Sequence, residues 1–330
     1  YGDELDHALI PEIFDLFLHA IQDDESFLYL NAVQGLAQMA MSWRDAVLRP
    51  LMAMYVGGDK TQDGMSHALS YGQELTQRET DQRLRIGEAI LQVLQHLGEA
   101  VVSELDRIVP PLLTAVRNPL FSATLRSSFI SILGTCVEIA PTALAADRSS
   151  VHMVHMCTEL IQATTERRAI RQRSRVRASV QGVGAGGEVT ERSLDDEDEE
   201  EAMWEREATS GTDRDVHRPQ LRRAALLLLL MLLRATQEQL DDYRESCERD
   251  LDDIDAPLSA LRLPGGGVLP DVHGRAKPTL PPLLVPVDVL GSVMPVVTYM
   301  AQEEADNVVR VQAQDCIDHI RLVELAYIGL

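Results

Sequence analysis

Amphipathic segments recur along the whole chain, and this periodicity constrains the fold more than any other feature. In the first segment Leu9, Ile13 and Leu16 lie three or four positions apart, which places them on one face of an α-helix. Comparable segments are predicted to be helices at residues 27–41, 45–55, 80–97, 99–116, 119–139, 151–177, 219–234, 238–251, 287–301 and 307–326. No convincing apolar–polar alternation predicts a β-strand, and aromatic residues make up only 4% of the chain. We therefore expect an all-α protein.

Several of these helices open with a related motif. The clearest example is DNVVRVQA at Asp306–Ala313, in which an acidic residue precedes Val-Arg and a small residue follows. Related stretches are DESFLYLNA at Asp24–Ala32, DQRLRIGEA at Asp81–Ala89 and PQLRRA at Pro219–Ala224. Where the motif contains an Asp, that residue is expected to cap its helix, with Ser26 as a further candidate in the first related stretch. This pattern is typical of the second helix of a HEAT repeat, so the sequence predicts an α-solenoid of HEAT/armadillo-like helix pairs.

The spacing of these motifs predicts how the repeats are divided. Second helices that begin near Phe27, Gln82 and Ala123 are about one repeat apart, since HEAT repeats run roughly 40–47 residues. Later intervals are roughly doubled, which predicts two insertions. The predicted organisation is HEAT-like repeats at 1–180, a disordered acidic insertion at 181–217, HEAT-like helices at 218–255, a Pro/Gly-rich loop at 256–286 and a final repeat at 287–330. Because the sequence begins with Tyr1 rather than Met, we expect it to be part of a longer chain.

The first insertion contains DDEDEEE at Asp195–Glu201, and its high charge predicts disorder. A run of arginines lies just before it: Arg167, Arg168, Arg171, Arg173, Arg175 and Arg177. These are candidate partner-binding residues, either as a nuclear-localisation signal or as a site for an acidic partner. The alternative, which we favour, is a solvated helix end, where cations interact favourably with the helix dipole.

The second insertion ends with the proline-rich stretch PTLPPLLVP at residues 278–286. Such a stretch can bind as a polyproline II helix in an aromatic groove. We favour the alternative of a linker between repeats, which is the commoner role of Pro-rich segments.

The composition argues against two classes of function. A net charge of −22 repels phosphate backbones, so general nucleic-acid binding is not expected. The longest apolar run, Ala224–Leu233, has ten residues. A membrane span needs roughly 20, so this run is predicted to be a buried core helix. The four cysteines form no C-x-x-C pair, which favours reduced thiols in a cytosolic or nuclear protein.

No motif for catalysis or for cofactor binding is found. The sequence lacks a phosphate-binding G-x-x-x-x-G-K-[ST] loop, a G-x-S-x-G elbow and an H-E-x-x-H zinc motif. The best metal candidate combines His152, His155 and Cys157 with the upstream Cys136. Zinc needs three or four converging ligands, and we favour a helix with two exposed histidines instead. We therefore predict no enzyme activity, no cofactor and no metal.

Several motifs resemble those of one known family, in the same order along the chain. YLNAVQGLAQMA at Tyr29–Ala40, followed by RDAVLRPLM, resembles a motif of the factors required for nuclear transport of RNA polymerase II. The animal relatives of these factors are called transport and Golgi organisation protein 6. TDQRLRIGEAIL at Thr80–Leu91, RRAALLLLLMLLRATQ at Arg222–Gln237 and DNVVRVQAQDCIDHI at Asp306–Ile320 are similar to later helices of the family.

The resemblance implies a non-catalytic cytoplasmic factor that helps assemble RNA polymerase II and deliver it to the nucleus. As partners it implies polymerase subunits, an R2TP-type chaperone complex and nuclear-pore components. Two other functions remain open: an import receptor or secretory-trafficking solenoid, also built from HEAT repeats, and an enzyme or metalloprotein with an unrecognised site. In a solenoid, partners bind along the surface that one helix of each repeat lines.

Overall fold

The computed structural model describes residues 9–23, 25–57, 75–162, 219–252 and 280–329, and regular structure within these ranges is helical without any strand. The α-helices are α1 Leu9–Ile21, α2 Ser26–Ser42, α3 Arg44–Val56, α4 Gln77–Leu97, α5 Leu105–Arg117, α6 Ala123–Ile139, α7 Pro141–Ala146, α8 149–162, α9 Pro219–Asp252, α10 Val287–Glu303 and α11 Asn307–Ile328. A 3₁₀ segment, Gly98–Glu104, joins α4 to α5. The predicted all-α class is confirmed.

The helices pack in two rows that follow the order of the chain. Helices α2, α4, α6, α9 and α11 contact one another in that sequence, and we call them the inner row. Helices α1, α3 and α5 pack against the inner-row helix that follows each of them and contact one another, and we call them the outer row. Helix α10 packs against α11 in the same way. Stacked helix pairs of this kind are the architecture of an α-solenoid.

Aliphatic side chains fill the space between successive pairs. Each inner-row helix contributes at least one fully buried example: Leu36, Ile90, Leu133, Leu229 and Ile320. Full burial of such a side chain stabilises the folded state by roughly 1.5–3 kcal/mol before the entropy of ordering it is subtracted. The apolar run that the sequence predicted to be a core helix lies in α9, where most of its residues are buried and Leu227 is exposed. Within the described part of the chain, no helix combines the length and the hydropathy that a bilayer crossing demands.

Two aromatic side chains of the outer row pack directly against glycines of the inner row. The Phe17 ring lies where a side chain at Gly35 would be, and the Tyr55 ring occupies that place at Gly87. Tyr55 is fully buried, its hydroxyl hydrogen-bonds Ser128 Oγ at 2.6 Å, and its ring meets that of Phe129 edge-on at 4.7 Å. The small residues therefore set how closely the two rows approach.

Helix starts agree only in part with the motif-based prediction. The Asp306 carboxylate accepts hydrogen bonds from the backbone N–H groups of Val308 and Val309, so the predicted cap of α11 is confirmed. Asp81 is not a cap: α4 begins one turn earlier, with Thr76 as its cap. Ser26 is also wrong as a cap, because it is already the first helical residue of α2. Asp24 lies outside the described residues.

The cap of α4 explains why this helix starts further upstream than predicted. The hydroxyl of Thr76 accepts from the Glu79 N–H, and the Glu79 carboxylate accepts from the Thr76 N–H at 2.8 Å. This reciprocal arrangement is a capping box, which satisfies two backbone donors at once. The sequence TQRE at residues 76–79 is typical of a capping box. The motif at Asp81 instead points to a later helix start, which leaves these four residues before the helix.

Two helix boundaries differ more strongly from the prediction. Residues 219–234 and 238–251 form one helix of 34 residues, α9, rather than two. The presumed break consists of residues that are compatible with a helix, and within it Thr236 is fully buried. The predicted helix at 99–116 is instead the 3₁₀ segment followed by α5. Gly98, with a φ of 53°, ends α4 in the left-handed region that glycine tolerates.

Candidate protein-binding surface

Each inner-row helix carries exposed residues on the side opposite its buried residues. Along α4, for example, Asp81, Glu88 and Gln92 recur at spacings of seven and four and are exposed. The full set, which we call the inner ridge, consists of Phe27, Leu30, Gln34, Gln38 and Met41 on α2; Asp81, Glu88, Gln92 and Gln95 on α4; Ser131 and Glu138 on α6; Gln220, Leu227, Arg234 and Glu238 on α9; and Val308, Val311, Asp318 and Leu322 on α11.

The chemistry of the inner ridge changes from its ends to its middle. At one end Phe27 and Leu30 on α2 expose 75% and 56% of their surface, and at the other Val311 on α11 exposes 61%. On the middle helices α4 and α6 the ridge residues are polar, with Glu88 and Ser131 as examples. Apolar clusters rimmed by polar groups are the usual signature of surfaces that bind proteins.

Side-chain hydrogen bonds tie neighbouring ridge helices together. Gln38 Nε2 lies 3.0 Å from His96 Nε2, which joins α2 to α4. Between α9 and α11, Arg234 Nε donates to His319 Nε2 at 3.3 Å, while His319 Nδ1 lies 3.1 Å from Gln237 Oε1. This arrangement requires the Nδ1–H tautomer of a neutral imidazole. Burial first, and then the charge of Arg234, lowers the pKa of His319, which favours the same neutral form.

Buried arginines connect the inner row to the ends of outer-row helices. Arg83 of α4 donates to the Tyr55 carbonyl at 3.2 Å, near the end of α3, and Arg126 of α6 donates to the Val116 carbonyl at 2.7 Å, near the end of α5. Carbonyls at a helix C-terminus lack partners within the helix and carry partial negative charge, so a cation stabilises them. Burial lowers the pKa of Arg83.

A third arginine, Arg222 of α9, forms a buried ion pair with Glu304, which directly follows α10. The role of these three arginines was missed at the sequence level. The signal was an arginine near the start of successive inner-row helices, but a sequence cannot show that each one reaches the end of a helix packed beside it.

A groove of about 610 Å³ lies in the outer row, between α3 and α5. Its floor is apolar and includes Leu48, Met52 and Ile108, which are buried. One rim carries an ion pair between Arg107 and Asp45, both exposed. The groove is of the size that commonly holds a small ligand or a few side chains of a partner.

The predicted site residues fall in several places. The six arginines at 167–177 and the acidic run at 195–201 lie outside the described residues. His155 is exposed on α8 and His152 is exposed beside it, whereas Cys157 and Cys136 are fully buried, so the structure does not bring these four side chains together as one site. No group of metal-ligating side chains occurs among the residues that the structure describes.

The described cysteines are unpaired thiols. Burial raises the pKa of the Cys136 thiol to about 12, and it also raises the pKa of Cys157. A thiol held in its neutral form is a poor nucleophile and a poor metal ligand. The geometry therefore supports a structural role for these two residues.

The end of the Pro/Gly-rich stretch packs on the protein itself. Leu284 and Val285 are fully buried. Their backbone N–H groups donate to the side chains of Gln239 and Thr236 on α9, at 2.9 and 3.1 Å. Residues 284–285 are thus an internal strap rather than a free ligand, which corrects the hypothesis that the whole stretch binds an external groove.

A comparison with known protein families finds a match over the segment that contains the first four helices. Residues 2–100 match the family model described as required for nuclear transport of RNA pol II, C-terminus 1. Over this segment the chain is similar to that family. The match confirms the family that the motifs at 29–40 and 80–91 predicted, and it ends within the 3₁₀ segment after α4. No solved structure matches the chain.

Proposed function

We propose that this protein is a non-catalytic binding scaffold that acts in cytoplasmic assembly and nuclear import of RNA polymerase II. The observation that carries the proposal is the inner ridge, because it offers an extended exposed surface on a rigid row of helices. The family match at residues 2–100 supplies the link to RNA polymerase II. The expected partners are polymerase subunits, an R2TP-type chaperone complex and nuclear-pore components, and the expected location is the cytoplasm with shuttling to the nucleus.

The proposed mechanism is binding without chemistry. Exposed aliphatic and aromatic side chains at the ends of the ridge would supply most of the free energy of binding through burial, since a few apolar anchors dominate most interfaces. The polar middle helices would fix the register of the client through hydrogen bonds. The net charge of −22 favours clients with basic surfaces and slows non-specific association with acidic proteins.

Affinity purification with a matched pair of variants tests this proposal. Leu30→Asp places a charge on the inner ridge, where Leu30 is 56% exposed, whereas Leu16→Asp places it on the outer-row helix α1, where Leu16 is 67% exposed. We expect Leu30→Asp to lower recovery of the largest polymerase subunits by about tenfold or more, since a desolvated charge costs several kcal/mol. Leu16→Asp should leave recovery unchanged.

Depletion of the protein provides the cellular readout. Cytoplasmic accumulation of the largest polymerase subunits supports the proposal. If the purified protein binds the GTPase Ran in its GTP form, it is an import receptor instead. Secretory arrest without polymerase mislocalisation would identify a trafficking solenoid and overturn the proposal.

A further inference from the structure

Helix α11 carries a stripe of mostly exposed residues with the spacing of a coiled-coil seam. Its positions are 308, 311, 315, 318, 322 and 325, which alternate in steps of three and four. The two ends of the stripe are apolar: Val308 and Val311 are 47% and 61% exposed, and Leu322 and Leu325 are 45% and 66% exposed. The two central positions are acidic, with Asp315 half-buried and Asp318 exposed.

The opposite face of α11 does the packing within the protein. Its fully or nearly fully buried residues are Val309, Ala313, Cys316, Ile317, Ile320 and Val323. They face α9 and α10, the two helices that α11 contacts most. The stripe is therefore not required for the packing of the described helices, and four large aliphatic residues on one helix face remain available for a partner.

We propose that this stripe binds an amphipathic helix of a partner protein that carries lysine or arginine between two aliphatic clusters. The proposal rests on the protein-binding function proposed above and names the partner chemistry for one end of the inner ridge. The stripe spans about 17 residue steps, or about 26 Å, so a partner helix of about 18 residues would cover it.

The charge of the stripe selects this partner. Asp318 is 56% exposed at its side chain, and its ion pair with Arg321, at 3.7 Å within the same helix, is also exposed. Such pairs contribute little and are readily exchanged for a better partner. A basic residue on the incoming helix, partly desolvated between the aliphatic clusters, interacts more strongly with Asp318 than solvent-exposed Arg321 does, and Asp315 adds a second negative charge on the stripe.

The same charges disfavour a second copy of this chain. The stripe is symmetric about its centre, so antiparallel pairing of two copies sets Val308 against Leu325, Val311 against Leu322, and Asp315 against Asp318. Parallel pairing sets each aspartate against itself. Either arrangement brings the carboxylates of both copies together in the middle of the interface, where like charges at short range are strongly unfavourable.

Two synthetic peptides of about 18 residues test the proposal by fluorescence anisotropy with the full chain. Both have leucine at the positions that face the aliphatic residues of the stripe, and either lysine or glutamate at the positions that face the aspartates. A scrambled version of the lysine peptide controls for non-specific attraction to the acidic protein. We expect the lysine peptide to bind about tenfold or more tightly than either of the others.

Variants of the full chain locate the site. Val308→Asp should weaken binding of the lysine peptide by about fivefold or more, whereas Val102→Asp should change it by less than about twofold. Val102 is the matched control because it is also 47% exposed but lies on the 3₁₀ segment. The double variant Asp315→Asn/Asp318→Asn should reduce the preference for lysine over glutamate to less than about threefold, with its folding checked by circular dichroism.

Three outcomes overturn the proposal. Equal affinity for the lysine and glutamate peptides removes the charge argument, and equal effects of Val308→Asp and Val102→Asp place the binding elsewhere. A dimer in analytical ultracentrifugation that Val308→Asp abolishes makes a second copy the occupant. None of these outcomes alters polymerase recovery by the Leu30→Asp and Leu16→Asp pair, so failure here is distinct from failure of the proposed function.

Discussion

At the scale of single residues, Gly87 controls how closely α3 approaches α4. A Cβ atom at this position would lie 2.6 Å from the Tyr55 ring. That ring cannot yield easily, because it is fully buried, hydrogen-bonded to Ser128 and packed against Phe129. Gly291, on the exposed side of α10, is the contrasting case, since a Cβ atom there would meet nothing within 4 Å.

Replacing each glycine by alanine should therefore change stability in opposite directions. Gly87→Ala is expected to lower the free energy of unfolding by about 1–3 kcal/mol, because overpacking forces the Tyr55 ring to move. Gly291→Ala is expected to raise it by about 0.5–1 kcal/mol, since alanine is the better helix former. Urea unfolding measures both. A stabilised Gly87→Ala variant would contradict the close packing of the two rows.

Two buried thiols and a buried tyrosine also predict, at the residue scale, how stability depends on pH. Burial raises the pKa of Cys136 and of Cys316 to about 12, and it raises the pKa of Tyr55 as well. In the unfolded chain the pKa is about 8.5 for a thiol and about 10 for a tyrosine. The unfolded state therefore binds fewer protons than the folded state above about pH 8.5. The sequence contains only two lysines, so lysines add little to the titration in this range.

The stabilisation from these neutral groups should be complete below about pH 8.5 and be lost as the pH rises toward about 12. Each group contributes a slope of up to about −1.4 kcal/mol per pH unit. Urea unfolding between about pH 7.5 and about pH 10.5 is the measurement, with Cys136→Ala as the comparison. The variant should show a shallower fall. An identical slope would mean that the Cys136 thiol ionises freely in the folded protein.

At the scale of elements, α9 and the strap at residues 284–285 depend on one hydroxyl group. Thr236 is fully buried, donates to the Leu232 carbonyl at 2.7 Å within α9, and accepts from the Val285 N–H. Removal of this acceptor would leave a buried backbone donor without its partner, which costs about 1–3 kcal/mol. The strap in turn leads directly into α10, so its position helps set where the last helix pair begins.

Thr236→Val and Thr236→Ser separate the hydrogen bond from the packing. Valine keeps the shape but loses the acceptor, and we expect it to lower the free energy of unfolding by about 1–3 kcal/mol and to speed hydrogen exchange at the Val285 amide. Serine keeps the acceptor but loses a methyl group. It should lower the free energy of unfolding by about 1 kcal/mol and leave hydrogen exchange at the Val285 amide little changed. Slow exchange at Val285 in the valine variant would contradict the strap.

The helices could be predicted from the sequence because amphipathic spacing is local information. The spacing of Leu9, Ile13 and Leu16 correctly predicts α1, but it points to the wrong face. Leu9 and Leu16 are exposed, whereas Ile10, Phe14 and Ile21 are buried. Features that depend on distant residues could not be predicted. The Arg83 and Arg126 contacts need the end of a neighbouring helix, and the groove between α3 and α5 needs their separation.

The continuity of a helix is a second feature that could not be predicted from the sequence. The local pattern predicts a break at residues 235–237 of α9, because they interrupt the leucine-rich run. They remain helical because Thr236 and Leu240 are buried against the rest of the protein. Tertiary packing therefore decides a boundary that the local pattern leaves ambiguous.

At the scale of the whole molecule, the inner row turns local helix pairs into one extended surface. Each pair packs mainly against its neighbours in the row, as expected of a solenoid, so the surface can be long without requiring a large single core. Its two ends are apolar and its middle is polar. A client that touches both ends must therefore span several helix pairs, which favours a large protein over a short peptide.

Binding of RNA polymerase II subunits along the inner ridge is the central claim, and carboxylate cross-linking tests it most directly. Because the chain has two lysines but many acidic residues, a carbodiimide that joins carboxylates to partner lysines is the suitable reagent. On purified complexes, mass spectrometry should find links mainly at the ridge residues Glu88, Glu138 and Glu238. The control set consists of exposed carboxylates on α1, α5 and α10: Glu12, Asp106 and Asp288.

We expect the ridge set to form at least about five times as many cross-links as the control set. Carboxylates that the bound client covers are closest to its lysines. Equal numbers in the two sets, or an excess at the control set, would contradict binding along the inner ridge.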